Sequence, residues 1–247
     1  MDVAGTKPEH FLCRLGVACV LLLALPASAA EPPKPVAHTV RNVEGWTVHV
    51  DDRLLSGADA GLGRRALHLL EGRLFEITLV VPADKVARLQ QVNIWLDRTH
   101  GALKPMQYHP SAGWLASNGY STNLARCVHI PDAAGFMSPE HYVKQPWAVL
   151  HELAHAYHDQ VLGFDNPEIK AAWKQVRDSG RFESVLLWNG RKARHYALTN
   201  EKEFFAEMTE VYFGVNDFYP FNRAELKESE PAVCELLRKI WMSPAPR

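Results

Sequence analysis

Ala148-Val149-Leu150-His151-Glu152-Leu153-Ala154-His155-Ala156-Tyr157 holds two histidines four residues apart, with a glutamate directly after the first. At about 3.6 residues per turn, positions four apart lie on one face of a helix, one turn above each other. His151 and His155 can therefore offer two imidazole nitrogens to one metal ion. Glu152 leaves the axis about 100° round from His151. That is too far round for a third ligand but near enough to serve a water at the metal. The flanks matter as much as the motif. Every other position from Ala148 to Tyr157 is uncharged and mostly apolar. A largely buried helix bearing two histidines and a glutamate is costly unless something binds those groups. The stretch predicts a zinc-binding helix of the H-E-x-x-H type.

A catalytic zinc takes three protein ligands and keeps one position for water. His158 lies seven residues past His151, about 10 Å along the axis, so a single ion cannot easily take His151, His155 and His158 together. Asp159 is the other nearby possibility. A better third ligand stands on a later predicted helix, Asn200-Glu201-Lys202-Glu203-Phe204-Phe205-Ala206-Glu207-Met208-Thr209-Glu210. Phe204, Phe205, Met208, Val211 and Tyr212 anchor it in a core, and Glu203 and Glu207 share a face. Two carboxylates so placed repel unless a cation or a histidine stands opposite. We expect Glu203 to bind metal and Glu207 to accept the free N–H of a ligand histidine. Glu201, Lys202 and Glu210 read as a solvated stripe. His109, His129 and His141 read as surface or loop histidines.

The chain around this pair of helices is of ordinary globular composition. Its 247 residues, with 27 basic and 28 acidic side chains, can bury a large core, and their balance argues against a nucleic-acid or polybasic membrane surface. The amino terminus departs from that composition. Arg14 precedes the apolar run Leu15–Leu25, and Ala27-Ser28-Ala29 supplies a small-residue cleavage signal. Residues 1–30 are expected to be a cleavable signal peptide, cut near Ala29 or Ala30, with an uncleaved anchor as the alternative. The mature protein would be secreted or periplasmic, without a membrane span. Cys127 and Cys234 then remain, and could pair in an oxidising compartment or stay as buried thiols.

After a proline-rich linker at 31–38, residues 39–247 read as one α+β domain. Residues 39–50 alternate around Glu44-Gly45 as a hairpin. Helical patterns run over 63–71 and 83–91, while 74–81 fits a strand or a continuing helix. Val92–Leu96 reads as a central strand, with further short strands at Gly113–Leu115 and Arg126–Ile130. The metal helix begins near Pro146 and ends at Gly163. Pro167 starts another helix, closed by Gly180. Asn189-Gly190 marks a two-residue hairpin turn between 185–188 and 191–196. Thr199 or Asn200 caps the helix that Gly214 stops, and Pro231 opens a carboxy-terminal one.

The order His-Glu-Leu-Ala-His, Tyr196, Glu203 seven positions on, then Phe204-Phe205-Ala206-Glu207 resembles the catalytic domains of the anthrax lethal factor family, which are zincin-fold endopeptidases; the pro-pro endopeptidases stand near them. The resemblance covers roughly the last hundred residues. It implies a zincin-like fold, with a small mixed sheet before the H-E-x-x-H helix and a second helix bearing a glutamate. It also implies one catalytic Zn2+ held by His151, His155 and Glu203, and Glu152 as general base. Glu207 becomes the partner of a ligand histidine. Tyr196, or His195 beside it, becomes the group facing the developing oxyanion. The substrate would be a peptide or protein, and strand 126–130 could pair with it in extended form. The rival expectations are a catalytically silent zincin-fold binding protein and a zinc hydrolase of a non-peptide amide.

Overall fold

The computed structural model describes residues 31–243, so the expected signal peptide lies outside the described residues. Alternation builds the first strands. In β1 (His38–Val43) and β2 (Trp46–Asp51), joined at Glu44-Gly45, every second residue of β2 is fully buried: Trp46, Val48 and Val50. α1 (Ala60–Val80) follows. The ambiguous stretch from Leu74 is helical because Ala66, Leu70, Leu74 and Ile77 recur at spacings of three and four, forming one buried stripe. α2 (Ala83–Leu89) leads into β3 (Ile94–Leu96), and β4 (Gln107–Tyr108) comes after a loop.

Gly113–Leu115, expected as a strand, is instead part of α3 (Ala112–Ser117). The Ser111 side chain accepts the Trp114 N–H and so starts a helical turn, and only Leu115 is buried. β5 (Val128–Ile130) completes a five-stranded mixed sheet in the order β1-β2-β3-β5-β4. β3 is central, as expected, and runs parallel to both β2 and β5; β4 is antiparallel to β5. β5 therefore has partners on both sides, and cannot be the free edge foreseen for it. The edge is β4.

α4 (Ala133–Phe136) and α5 (Pro139–Lys144) lead to α6 (Ala148–Tyr157), which carries the H-E-x-x-H motif, with Pro146 just outside it. α6 runs on into a π-helical turn at His158–Leu162 that Gly163 closes. α7 (Pro167–Asp178) is capped by Asn166, whose side chain accepts the N–H groups of Glu168 and Ile169. β6 (Val185–Leu186) and β7 (Lys192–Ala193) form the expected hairpin with a longer turn. Gly190 sits at φ 83°, its N–H bonded to Leu187 O, so three residues rather than two make the loop. α8 (Glu201–Phe213) is capped by Asn200, and α9 (Arg223–Ser229) and α10 (Pro231–Met242) finish the chain.

The fold is α+β, with α6 packed against β4 and β5 of the sheet. Ile94, Leu96, Val128 and Ile130 are buried with α1 and α6, whereas His49 stacks on Trp95 at 4.3 Å on the other face. α6 and α8 pack together, and the small residues Ala154, Ala156 and Ala206, all fully buried, suit close approach. The contact is tight at its end: a Cβ on Gly214 would lie 2.0 Å from the Trp147 indole, so only glycine fits where α8 stops.

Residues 31–37 lie along this body. Glu31 accepts the Ala102 N–H (3.0 Å), Pro33 O accepts the Thr99 hydroxyl (2.7 Å), and Lys34 donates to Gly119 O (3.0 Å). Cys127 and Cys234 are unbridged thiols.

Candidate metal centre

His151 and His155 come from α6 and Glu203 from the first turn of α8. Asn200 holds that turn by accepting the N–H groups of Lys202 and Glu203, which frees the Glu203 carboxylate to face α6. A reciprocal capping box would have drawn that carboxylate back to Asn200. Three atoms converge: His151 Nε2 to His155 Nε2 is 3.1 Å, His151 Nε2 to Glu203 Oε2 is 3.2 Å, and His155 Nε2 to Glu203 Oε2 is 3.3 Å. Ligands about 2.0–2.1 Å from a tetrahedral zinc stand about 3.3 Å apart. The triangle fits such an ion.

The sequence misplaced the partner of His151. Its Nδ1 donates to Glu210 Oε1 at 2.6 Å, whereas Glu207 Oε1 is 3.7 Å away. Glu210, read as solvated, is 3% exposed. Glu207 accepts instead from Asn216 Nδ2 at 2.9 Å. The signal was present, since 203, 207 and 210 form an i, i+4, i+7 stripe. With Nδ1–H committed to Glu210, a neutral His151 turns its Nε2 lone pair into the triangle. There it stands beside His155 Nε2 and the Glu203 carboxylate. Burial opposes a proton on His151, but Glu203 and Glu210 outweigh it and hold the imidazole well above its ordinary range. Burial would likewise raise Glu203, yet His151 and His155 hold its carboxyl below the usual carboxylate range. The triangle attracts positive charge.

Glu152 faces the cleft between α6 and β4, with Oε2 accepting the Tyr108 backbone N–H at 2.7 Å. Burial pushes its carboxyl up, against the pull of His151 and His155. The cleft, about 870 Å³, is lined by Glu152, both histidines, Glu203 and Tyr196, with Met106, Trp114, Phe136, His141 and Gln145 along its length. Tyr196 is 47% exposed and stands just before α8. Burial first, then the Glu203 charge, raises its phenol, so it stays protonated at neutral pH.

His195 is elsewhere. It is fully buried between Phe182 and Phe218, where burial pushes its pKa down to about 3. His158 is sealed against Phe164 and Phe205, and Asp159 accepts the Tyr108 hydroxyl at 2.6 Å; neither joins the triangle. An apolar groove of about 580 Å³ beside Leu69 and Tyr142 brings no catalytic constellation together.

A second cluster lies on the opposite side of the sheet. Asp97 Oδ2 meets His100 Nδ1 and His129 Nε2, and its Oδ1 meets His38 Nε2, each at 2.7 Å. His109 Nε2 lies 3.2 Å from His129 Nδ1. Of the three histidines expected on the surface or in loops, His109 follows β4 in a loop but is buried, His129 is buried within β5, and His141 reaches the cleft. Here the protons balance without a cation. Three imidazole N–H groups can donate to one carboxylate, and His109 can donate to the lone pair left on His129. Spacing alone would let Asp97, His100 and His129 hold a metal ion, as it would His151, His155 and Glu203, or His151, Glu207 and Glu210. The near-equal spacing of its three atoms and its opening onto the cleft set the group of His151, His155 and Glu203 apart.

No protein-family model, curated protein or solved structure matches this chain, so the site itself carries the functional reading.

Proposed function

We propose that this is a zinc-dependent peptidase of zincin-like fold, acting as an endopeptidase. The observation that carries the reading is the triangle of His151, His155 and Glu203, which opens onto a cleft where the Glu152 carboxylate stands beside the edge strand β4. His151, His155 and Glu203 would hold the ion, and Glu210 fixes the tautomer that presents His151 Nε2. Zinc there would supply Lewis acidity, making water acidic enough to ionise near neutral pH and polarising a carbonyl. Glu152 has one oxygen on the Tyr108 N–H, which leaves Oε1 to take a proton from water and return it to the leaving amine. The Tyr196 hydroxyl, exposed in the same cleft, donates to charge developing on the substrate carbonyl oxygen. In β4 the Tyr108 N–H points away from β5, so the Tyr108 carbonyl does too; an extended peptide can pair there with its own N–H groups.

Export by residues 1–30 belongs to the same proposal. Among the described residues no helix is long and apolar enough to cross a membrane.

The test is cleavage of a mixed peptide library by zinc-loaded wild type and Glu152→Gln. Wild type should cleave internal peptide bonds and the variant should not. No cleavage by zinc-loaded wild type would remove the peptidase reading and leave a binding protein or a hydrolase of another amide; equal cleavage by both would remove Glu152 as base.

A further inference from the structure

Glu152 is held by the strand it faces. Its carboxylate accepts the Tyr108 N–H, yet β4 is only two residues long, with Pro105 before it and Pro110 after it. His109 turns its N–H and C=O to the residues just before β5, bonding Cys127 O at 3.1 Å and the Arg126 N–H at 2.6 Å. So short a ladder fixes the strand weakly by itself. The Tyr108 phenol supplies a second hold. It donates to Asp159 Oδ2 at 2.6 Å and accepts from Gln160 Nε2 at 3.0 Å, and Gln160 also reaches Arg126 O at 3.3 Å.

Asp159 and Gln160 stand in the π-helical turn that continues α6, a local widening often found at functional sites. The metal-bearing helix thus grips β4 at two points seven residues apart, or about 10 Å along its axis: Glu152 on the backbone N–H, and Asp159 with Gln160 on the phenol.

We propose that Tyr108 is a positioning residue for Glu152. The phenol anchor sets the place of the strand, and the strand's N–H fixes one oxygen of the carboxylate while the other faces the cleft. The catalytic consequence rests on the peptidase reading; the clamp itself does not need turnover to be seen.

Amide hydrogen exchange by NMR on the full chain, in wild type, Tyr108→Phe and Asp159→Asn, tests it, alongside kcat, KM and zinc content. Removing the hydroxyl in Tyr108→Phe, or replacing its charged acceptor by a neutral amide in Asp159→Asn, should speed exchange at the residue-108 amide about tenfold, with the central-strand amides of Trp95 and Leu96 unchanged. Both single variants should lose about tenfold in kcat, since small misplacements of a reacting group are costly, with KM within about twofold and zinc retained. The double variant should be no slower than the slower single one, because both break the same hold. Unchanged exchange at residue 108 overturns the clamp, as does a uniform rise across the sheet, which would make the contact one of general stability. Unchanged kcat with faster exchange overturns the positioning role. If wild type cleaves nothing, the peptidase reading fails, while exchange still decides the clamp.

Discussion

The molecule builds two histidine–carboxylate clusters on opposite sides of one sheet, and they differ in where their lone pairs go. In the Asp97 cluster every imidazole points at a carboxylate oxygen or another imidazole, with contacts of 2.7 and 3.2 Å, and neutral rings satisfy all of them. In the His151 cluster the three atoms point at each other, 3.1 to 3.3 Å apart, around a centre that faces a cleft. The first pattern is a closed hydrogen-bonded star centred on an acceptor. The second is a near-equilateral triangle of two imidazole nitrogens and a carboxylate oxygen, at the spacing of ligands around one ion. Residue types alone would not separate them; the arrangement of the atoms does.

The largest effect that sharpens this contrast is chemical. Glu152→Gln should lose about a thousandfold in kcat while zinc stays bound, a magnitude within the usual range for a general base. Steady-state kinetics beside metal analysis checks it. On the other side of the sheet, Asp97→Asn should leave peptidase activity and zinc content in place but cost about 3 kcal/mol of stability. The amide offers three imidazole donors a poorer acceptor in a buried site. Denaturant unfolding reads this, and loss of zinc without loss of stability would break the comparison.

Next comes the support of the metal ligand. Glu210→Gln should weaken zinc binding about 10- to 100-fold, and Glu207→Gln clearly less, in a chelator competition. The reverse order would restore the assignment made from sequence. The smallest effect is in pH. Burial, then the neighbouring His129 and His100, lowers His109 to about 4, below its unfolded value near 6.5. The folded state therefore keeps this ring neutral while the unfolded chain takes up a proton. Stability falls as pH drops below about 6.5 and continues to fall towards about 4, by about 1 kcal/mol at pH 5.5 from this group. His109→Gln should flatten that part of the unfolding profile.

What the sequence made legible follows the range of the interaction. The convergence of His151 and His155 was readable because a helix fixes their relation within one turn, and that of Glu203 because it shares a face with Glu207 on a helix otherwise anchored by apolar residues. Glu210 was missed since a charged residue late in a helix looks solvated until its neighbour across the interface is known. The Tyr108 clamp joins residues 44 and 51 positions apart, and the Asp97 star gathers side chains from strands and a loop; no local periodicity reports either. The short stretches failed for the same reason. Three residues at Gly113–Leu115 fit strand or helix alike, and the Ser111 cap decided it. The edge role passed from β5 to β4 because strand order depends on pairing, which no single segment encodes.

Metal analysis of the purified, dialysed chain tests the central contrast most directly. One equivalent of zinc in wild type, one in Asp97→Asn and none in folded Glu203→Ala is the predicted result. Two equivalents in wild type, or a full equivalent retained in Glu203→Ala, would contradict it.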